Sequence, residues 1–442
     1  MSRTKVFGVT VAGICLWALT SSALTLKEYV GKPDDSYKYT IESTVPLGTN
    51  TVYLVRMTSQ TWRGIAWQHW LAIIKPQEVK YPDTALLLVS GGDNPDGPPS
   101  ADSDEGRALS LIATQFHAVV ANLKQVPNQP LFDGKYEDAI IAYTYENFLK
   151  GEGDDWPLLL PMVKSAVRAL DTIQAVGKEK FGQTIKKFMV TGASKRGWTT
   201  WLTAAADARV AAIAPMVIDV LNMAPQMAYQ KKVYGAYSEE VKDYTDRGIQ
   251  EAMQTPAGKK LLDLVDPYSY REQLTLPKVM ILGTNDDYWT VDAARFYFND
   301  LKGDKSLHYE PNAGHGLNLN IVPVIMALFD ATLTGQRLPR LSWSAPPDSA
   351  LEVAWDDPKG RAALWQAQSP NCDFRKSTWS STPLAGDRKA SAKVTAPDTG
   401  WTAYFVAVTF PLKAGETEWP YSLCTMTNVL PDTFPKHEQG TP

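Results

Sequence analysis

One serine lies close to glycines in the stretch 187–206, which reads K-F-M-V-T-G-A-S-K-R-G-W-T-T-W-L-T-A-A-A. The apolar residues before Gly192 predict a short buried strand, and the apolar pattern from about Gly197 predicts a helix. A strand-to-helix turn this tight needs small neighbours and strains the backbone of its central residue, so the hydroxyl points outward. Ser194 is therefore a candidate nucleophile. Glycine-flanked serines are also common in ordinary turns, so this assignment depends on the rest of the chain.

A serine hydroxyl reacts only when a base takes its proton, and an imidazole base needs an acid behind it. Only His308 and His315 follow Ser194 within the same predicted domain. His308 lies in the strand-like segment S-L-H-Y-E, and we interpret it as structural. His315 lies between glycines in N-A-G-H-G, after a predicted strand and before a predicted helix. We therefore predict that His315 is the base, the alternative being an ordinary surface-loop histidine.

Three aspartates are candidates for the acid. Asp286 lies in the turn G-T-N-D-D, which closes a predicted strand, and Asp287 is its neighbour. Asp219 follows the next predicted strand after the helix that starts near Gly197. That strand end is an alternative position for the acid. We favour Asp286, and either of the others would then only cap a helix. The resulting chain order of serine, aspartate and histidine is that of α/β-hydrolases.

The oxyanion of an acyl-transfer reaction needs two backbone N–H donors. We expect one from Lys195, directly after the nucleophile, and one from Gly91 or Gly92 at the end of a buried strand. In α/β-hydrolases the turn that carries the nucleophile, called the nucleophile elbow, usually has the spacing G-x-S-x-G. Here the spacing is G-x-S-x-x-G, so Arg196 stands where the second glycine usually falls. Lys195 and Arg196 could bind a substrate carboxylate or support the oxyanion. Trp198 is a further candidate for substrate binding, by stacking on a sugar or peptide, although core packing accounts for most tryptophans.

The elements that position these residues follow from the hydrophobic pattern. Buried strands alternate with amphipathic helices, the strands at about 85–90, 188–190 and 209–218 and the helices at about 104–114, 136–150 and 158–178. This alternation predicts a doubly wound, mostly parallel sheet of the α/β-hydrolase type, preceded by antiparallel strands. A stretch at about 220–275, rich in Met, Tyr and charged residues, predicts a helical insertion over the site.

A chain of 442 residues is expected to form two domains. We predict an α/β-hydrolase domain over residues 24–340 and a small β-sandwich-like domain over residues 341–442. Residues 1–23 combine a basic start, a short apolar run and the small residues S-S-A, which is typical of a cleaved signal peptide. The apolar run is too short to span a bilayer comfortably, so we expect a secreted or periplasmic protein without stable membrane insertion.

The net charge and the cysteine content restrict the classes of binding partner and cofactor that we expect. Loss of residues 1–23 removes Arg3 and Lys5, and the formal net charge of −4 becomes about −6, with no basic patch for nucleic acid. Cys372 and Cys424 predict one disulfide in an exported chain, the alternative being two unpaired buried thiols. Neither has a Cys or His at ligand spacing, so no metal or other cofactor is expected. The expected partner is a small-molecule or peptide substrate, and the oligomeric state is not predicted.

Several motifs resemble one family closely, namely G-A-S-K-R-G-W-T-T-W-L-T-A-A-A-D-A-R-V, I-D-V-L-N-M, D-P-Y-S-Y-R, D-D-Y-W-T-V-D-A-A-R-F-Y-F-N-D-L and P-N-A-G-H-G-L. Over about residues 26–341 the chain resembles the PhoPQ-activated pathogenicity-related protein family. The resemblance implies a secreted or periplasmic α/β-hydrolase, akin to the catalytic domains of dipeptidyl-peptidase-like enzymes. It also implies a link to virulence and to resistance against antimicrobial peptides. Carried over, Ser194 would be the nucleophile, Asp286 the acid and His315 the base.

The sequence thus favours an exported serine hydrolase that acts on a peptide or an ester. A non-catalytic secreted effector that keeps the hydrolase fold as a binding surface is one alternative. A carbohydrate esterase is another, because an arginine similar to Arg196 follows the serine in glucuronoyl esterases.

Overall fold

The computed structural model describes residues 24–345 and 350–437, and the predicted signal peptide, residues 1–23, lies outside them. The strands are β1 (Lys38–Leu47), β2 (Asn50–Trp62), β3 (Ile65–Lys75), β4 (Thr84–Val89), β5 (Val119–Leu123), β6 (Lys187–Ala193), β7 (Val210–Met216), β8 (Lys278–Gly283), β9 (Lys305–Glu310), β10 (Leu341–Ser344), β11 (Leu351–Trp355), β12 (Arg361–Ser369), β13 (Ser380–Pro383), β14 (Lys389–Ala392), β15 (Trp401–Ala414), β16 (Thr417–Cys424) and β17 (Asn428–Leu430). The α-helices are α1 (Leu26–Gly31), α2 (Asp104–Phe116), α3 (Glu137–Leu149), α4 (Leu159–Val176), α5 (Lys195–Ala206), α6 (Met223–Tyr234), α7 (Lys242–Thr245), α8 (Ile249–Ala252), α9 (Pro256–Val265) and α10 (Val322–Thr334). Within these described ranges, every helix is too short or too polar to cross a membrane.

The main sheet has the strand order β1-β2-β3-β5-β4-β6-β7-β8-β9, and further strands continue it beyond β9. The first three strands pair antiparallel, and β3 pairs antiparallel with β5. From β5 to β9 all pairs are parallel. The chain passes from β3 to β4 and then returns to insert β5 between them. The structure thus confirms the predicted doubly wound, mostly parallel sheet with an antiparallel start.

Helices cover both faces of this sheet because the side chains of its strands alternate between two apolar cores. In β4, Ala85 and Leu87 belong to the core under α4 and α5, whereas Leu86 belongs to the core under α2 and α10. All three side chains are fully buried. Burial on both faces explains why β4 reads as a continuous apolar run.

The insertion between β7 and β8 is helical, as predicted, and contains α6 to α9. The later segment V-D-A-A-R-F-Y-F-N-D-L, which the sequence predicts to be a helix, instead forms two short 3₁₀ turns, Ala293–Phe296 and Phe298–Asp300. Tyr297 joins them with φ −145°, and both it and Phe298 are buried. Tertiary burial of these aromatic rings overrides the local preference for a helix.

The C-terminal strands form the predicted sandwich-like region, and they also extend the main sheet. Strand β16 pairs with β9 through Cys424 and Leu307, and β15, β12 and β13 follow it. A second sheet, β10-β11-β14, packs against them, so that Val353 of β11 shares a core with Val406 of β15. The two regions therefore share one continuous sheet, and a domain boundary near residue 340 stays a prediction.

The predicted disulfide is not formed: in the part of the chain that the structure describes, Cys372 and Cys424 are free, buried thiols. The Sγ of Cys424 accepts the N–H of Tyr309 at 3.5 Å. Burial raises the pKa of both thiols to about 12. Each cysteine thus packs as a small apolar side chain in the core, which was the alternative to the disulfide.

Candidate active site

The strained turn predicted at Ser194 is present between β6 and α5. Ser194 has φ 58° and ψ −126°, a conformation that L-residues rarely adopt. Its N–H donates to the carbonyl of Met216 at 2.9 Å. A Cβ on Gly197 would lie 2.6 Å from Cγ2 of Ile218 and 2.8 Å from the carbonyl oxygen of Met216. Gly197 therefore provides the close approach that the usual second glycine gives, one residue later in the chain.

A continuous chain of hydrogen bonds links Ser194, His315 and Asp286. The Oγ of Ser194 lies 2.8 Å from Nε2 of His315, and Nδ1 of His315 lies 3.0 Å from Oδ2 of Asp286. The three residues follow the carboxyl ends of β6, β9 and β8. This geometry allows Nε2 to accept the serine proton while the carboxylate orients and stabilises the ring.

The competing residues have other surroundings. Asp287 is exposed, and its carbonyl accepts a hydrogen bond from Ser238 at 2.6 Å. Asp219 is buried after β7, and its Oδ1 has no hydrogen-bond partner within residues 24–345 and 350–437. Burial raises the pKa of Asp219 to about 7, and the carboxylates of Asp286 and Asp292 add to the rise. His308 Nδ1 lies 2.9 Å from a strand carbonyl in β16, consistent with a structural role.

The backbone donors predicted for the oxyanion lie at two adjacent strand ends. Lys195 is the first residue of α5, and Gly91 and Gly92 follow β4, which pairs in parallel with β6. None of these three N–H groups donates to another described residue of the chain. They are therefore available to a ligand, as an oxyanion hole requires.

Arg196, predicted to bind substrate, is engaged within the protein. Its Nη1 and Nη2 donate to the two carboxylate oxygens of Glu137 at 2.8 and 2.5 Å, and its Nε donates to the carbonyl of Val126. Although burial raises the pKa of Glu137, Arg196 holds it below its usual value. A Cβ on Gly91 would lie 2.5 Å from Nη2, so this glycine makes room for the guanidinium. The structure therefore does not support Arg196 as a free positive charge for the substrate.

A polar cluster that sequence reasoning missed lies beside the nucleophile. The Nζ of Lys195 lies 2.7 Å from Oδ2 of Asp138. The hydroxyls of Tyr244 and Tyr288 donate to the same carboxylate at 2.8 and 3.0 Å. The ring of Tyr288 also covers His315, with the ring centroids 4.2 Å apart. Tyr288 could have been noticed from its place in the motif D-D-Y-W, whereas no local signal marks Asp138.

A cavity of about 510 Å³, measured out to its open mouth, lies next to Ser194 and His315. Residues of the insertion, among them Met223, Met227 and Met253, form part of its wall. Trp198 lines it, and the indole N–H of Trp198 donates to the carbonyl of Val265 at 2.5 Å. The other main wall residues are Ile218, Val220, Met223, Met227, Val241, Met253 and Trp289.

The C-terminal region contacts the two loops that carry the base and the acid. The side-chain N–H groups of Asn285 donate to three carbonyls of the segment after β12, at 2.7 Å to Ser377 and at longer distances to two others. Asn312 exchanges two hydrogen bonds with the backbone of Trp379, at 2.7 and 3.0 Å. These contacts hold the neighbours of Asp286 and His315 in place.

The strand order, the elbow serine after β6 and the acid and histidine after β8 and β9 define a protein of the α/β-hydrolase fold. The chain belongs to the PhoPQ-activated pathogenicity-related protein family, whose sequence model matches residues 26–375. The match therefore reaches beyond the predicted boundary at residue 340, into the segment that contacts Asn285.

Comparison with known proteins gives the following relatives. The chain is 31% identical over 453 aligned positions to the autocrine proliferation repressor protein A of Dictyostelium discoideum, with 93% of this chain and 91% of that protein covered. Among solved structures, it is similar to an acetyl xylan esterase from Paenibacillus sp. R4 (TM-score 0.49, 13% identity, 69% of this chain and 91% of that chain). It is also similar to a glucuronoyl esterase from Solibacter usitatus (TM-score 0.42, 12% identity, 68% of this chain and 87% of that chain).

Proposed function

We propose that this chain is an exported serine hydrolase that cleaves an ester or a peptide bond by acyl transfer to Ser194. The observation that carries the proposal is the hydrogen-bond chain from Ser194 Oγ to His315 Nε2 at 2.8 Å and from His315 Nδ1 to Asp286 at 3.0 Å. A serine held in a strained elbow next to a paired imidazole is the arrangement that nucleophilic catalysis requires.

In the proposed reaction, the hydroxyl oxygen of Ser194 attacks the substrate carbonyl while His315 takes the hydroxyl proton. The free N–H groups of Lys195 and of Gly91 or Gly92 would stabilise the negative charge on the carbonyl oxygen. Collapse of the intermediate breaks the bond to the leaving group, which takes the proton from His315. Water then attacks the carbonyl carbon of the acyl-enzyme while His315 takes a proton from the water. The bond to the Ser194 oxygen breaks, His315 returns the proton to that oxygen, and the acid is released.

Covalent labelling with an activity-based probe for serine hydrolases tests this proposal. We expect a fluorophosphonate to label the wild-type protein and to leave Ser194→Ala unlabelled, because the probe reacts with an activated serine. Circular dichroism shows whether both proteins are folded. A folded wild-type protein that stays unlabelled, or a Ser194→Ala variant that labels equally well, contradicts the proposal.

Export is part of the proposal and is supported by the sequence of residues 1–23. The family description, pathogenicity-related, supports the proposed link to virulence. Amino-terminal sequencing of the exported protein tests the first point, with a start directly after Ala23 as the expected result. A mature protein that begins at Met1 contradicts export by a cleaved leader.

A second candidate is a non-catalytic regulator that uses the hydrolase fold as a binding surface. The observation in its favour is the similarity, at 31% identity, to the Dictyostelium protein named autocrine proliferation repressor protein A. The probe experiment separates the two candidates. The carbohydrate esterase stays a further alternative, although the arginine that suggested it, Arg196, is paired with Glu137. A comparison of rates on acyl-sugar esters and on aminopeptidase substrates tests it.

A further inference from the structure

The cavity beside Ser194 has walls that are mostly apolar. Ile218 and Val220 follow β7, Met223 and Met227 project from α6, and Met253 follows α8. Methionine side chains are flexible and polarisable, and they suit irregular apolar ligands. Burial of methylene groups against such walls lowers the free energy of binding, whereas burial of a sugar or of a charged side chain there is unfavourable.

The charges that reach this cavity are already paired. Lys195 and Asp138 line it, and their ion pair measures 2.7 Å. Two tyrosine hydroxyls also donate to Asp138. A substrate ammonium or carboxylate would have to break this cluster and leave a charge without its partner, which is costly in a buried site. The cavity therefore favours an uncharged group.

One side chain on the wall has a buried polar atom without a partner. Gln250 lies in α8, is 8% exposed and lines the cavity. Its Oε1 makes no hydrogen bond to any group in the described residues 24–345 and 350–437. An unpaired buried acceptor is unfavourable, and a ligand N–H or O–H that reached it would remove that penalty.

We propose that this cavity binds the acyl side of the substrate, and that the natural acyl group is apolar and longer than acetyl, with one uncharged N–H or O–H donor that pairs with Gln250. This inference rests on the proposed function, because it assigns the acyl side through the reaction at Ser194. It names an acyl-binding pocket and a specificity residue, Gln250, that does not touch the reacting atoms.

Chain length gives the first test. The kcat/KM of the wild-type protein is measured on p-nitrophenyl acetate, butanoate, hexanoate and octanoate. We expect it to rise from acetate to hexanoate by up to about fourfold per added methylene, the factor that corresponds to its burial. In parallel, calorimetry measures binding of the same intact esters to Ser194→Ala, where the same order of affinity is expected. Equal rates and equal affinities for acetate and hexanoate overturn the inference.

Substitutions at Met227 link the preference to this cavity. Met227→Trp fills it, so we expect the ratio of kcat/KM for the hexanoate ester to kcat/KM for the acetate ester to fall to about one. Met227→Leu keeps the volume and serves as the matched control, with the preference retained. Met227→Ala enlarges the cavity and should move the optimum towards octanoate. An unchanged chain-length profile in both the Trp and the Ala variant contradicts the assignment.

A matched set of esters tests the role of Gln250. N-acetylnorleucine and 6-hydroxyhexanoate esters keep the six-carbon acyl chain of hexanoate and add an N–H near the carbonyl or an O–H at the far end. We expect kcat/KM of the wild-type protein to be about fivefold or more higher for at least one of them than for hexanoate. In Gln250→Leu the same ratio, taken against the variant's own kcat/KM on hexanoate, should fall to about one. A Gln250→Leu variant with the wild-type ratio, or a wild type that prefers neither, contradicts the role of Gln250.

The two proposals can fail separately. If the wild-type protein is not labelled by a fluorophosphonate but Ser194→Ala binds hexanoate esters better than acetate, the hydrolase proposal fails and the cavity assignment holds. If the wild-type protein is labelled but the acetate and hexanoate esters give equal kcat/KM and equal affinities, the cavity assignment fails and the hydrolase proposal holds.

Discussion

At the scale of single residues, the elbow depends on a glycine displaced by one position from the usual pattern. A methyl group at Gly197 would overlap Ile218 and the carbonyl of Met216. We expect Gly197→Ala to lower the free energy of unfolding by about 1–3 kcal/mol, because the packed neighbours must move. Urea denaturation measures it. Gly31→Ala is the control, since no atom of the residues that the structure describes lies within 4 Å of its added carbon. Equal losses of stability in both variants would contradict this expectation.

The two buried carboxyls near the base should differ in their effect on catalysis. His315 contacts Asp286 at 3.0 and 3.1 Å. Asp286→Asn should lower kcat on the order of 10³- to 10⁴-fold, because the amide cannot stabilise the imidazolium or fix its tautomer. Asp219→Asn should change kcat less than about tenfold. Rates on one ester, compared for the two variants, check this expectation. A larger loss in Asp219→Asn would show that the alternative acid position is the one used.

Asp219 should instead affect the pH dependence of stability. Burial, with help from Asp286 and Asp292, raises its pKa from 3.8 to about 7. Between these values the folded protein keeps a proton that the unfolded chain has lost, so the contribution of Asp219 to stability falls as pH rises through that window. Relative to wild type, Asp219→Asn should therefore be more stable at about pH 8 than at about pH 5. Urea denaturation at both pH values measures the difference, and a constant difference contradicts the assignment.

At the scale of elements, the insertion depends on one buried carboxylate. Asp266 accepts the backbone N–H groups of Asn222, Met223 and Tyr268 at 3.2, 2.9 and 2.9 Å. It thereby joins the start of α6 to the end of α9. We expect Asp266→Ala to cost about 1–3 kcal/mol of stability, since three backbone donors, one in a buried and two in part-buried hydrogen bonds, lose their acceptor. Thermal unfolding measures the loss, and Asp263→Ala, an exposed aspartate on α9, is the control that should change little.

Prediction from sequence worked where a local pattern determines the structure. The strand and helix on either side of Ser194, and the loop positions of Asp286 and His315, follow from hydrophobic periodicity and glycine placement over a few residues. The hydrogen bonds between Arg196 and Glu137 could not be predicted, because the two residues are 59 positions apart in the chain. The prediction of a disulfide was wrong, because the number of cysteines in a sequence does not show whether two thiols lie within bonding distance in the fold.

At the scale of the whole molecule, the C-terminal region is part of the frame of the site. It extends the main sheet at β9, where a bare edge would expose unpaired backbone groups. It also holds the acid loop through Asn285 and the base loop through Asn312. The N–H of Asn312 in turn donates to Thr284 at 2.8 Å, which joins the two loops to each other. A hydrolase domain that ended near residue 340 would lack these contacts.

This arrangement predicts that the C-terminal region is needed for activity as well as for stability. Asn312→Ala removes both hydrogen bonds to Trp379 and frees the loop that carries His315. We expect kcat to fall about 10- to 100-fold with a smaller change in KM, because displacement of a catalytic group by about 1 Å costs rates of that order. Asn428→Ala is the matched control, since within the described part of the chain its side-chain amide donates a hydrogen bond only to the nearby carbonyl of Met426. A protein of residues 24–340 should be unlabelled by a fluorophosphonate, and labelling at the full-length rate by either that protein or Asn312→Ala would contradict the prediction.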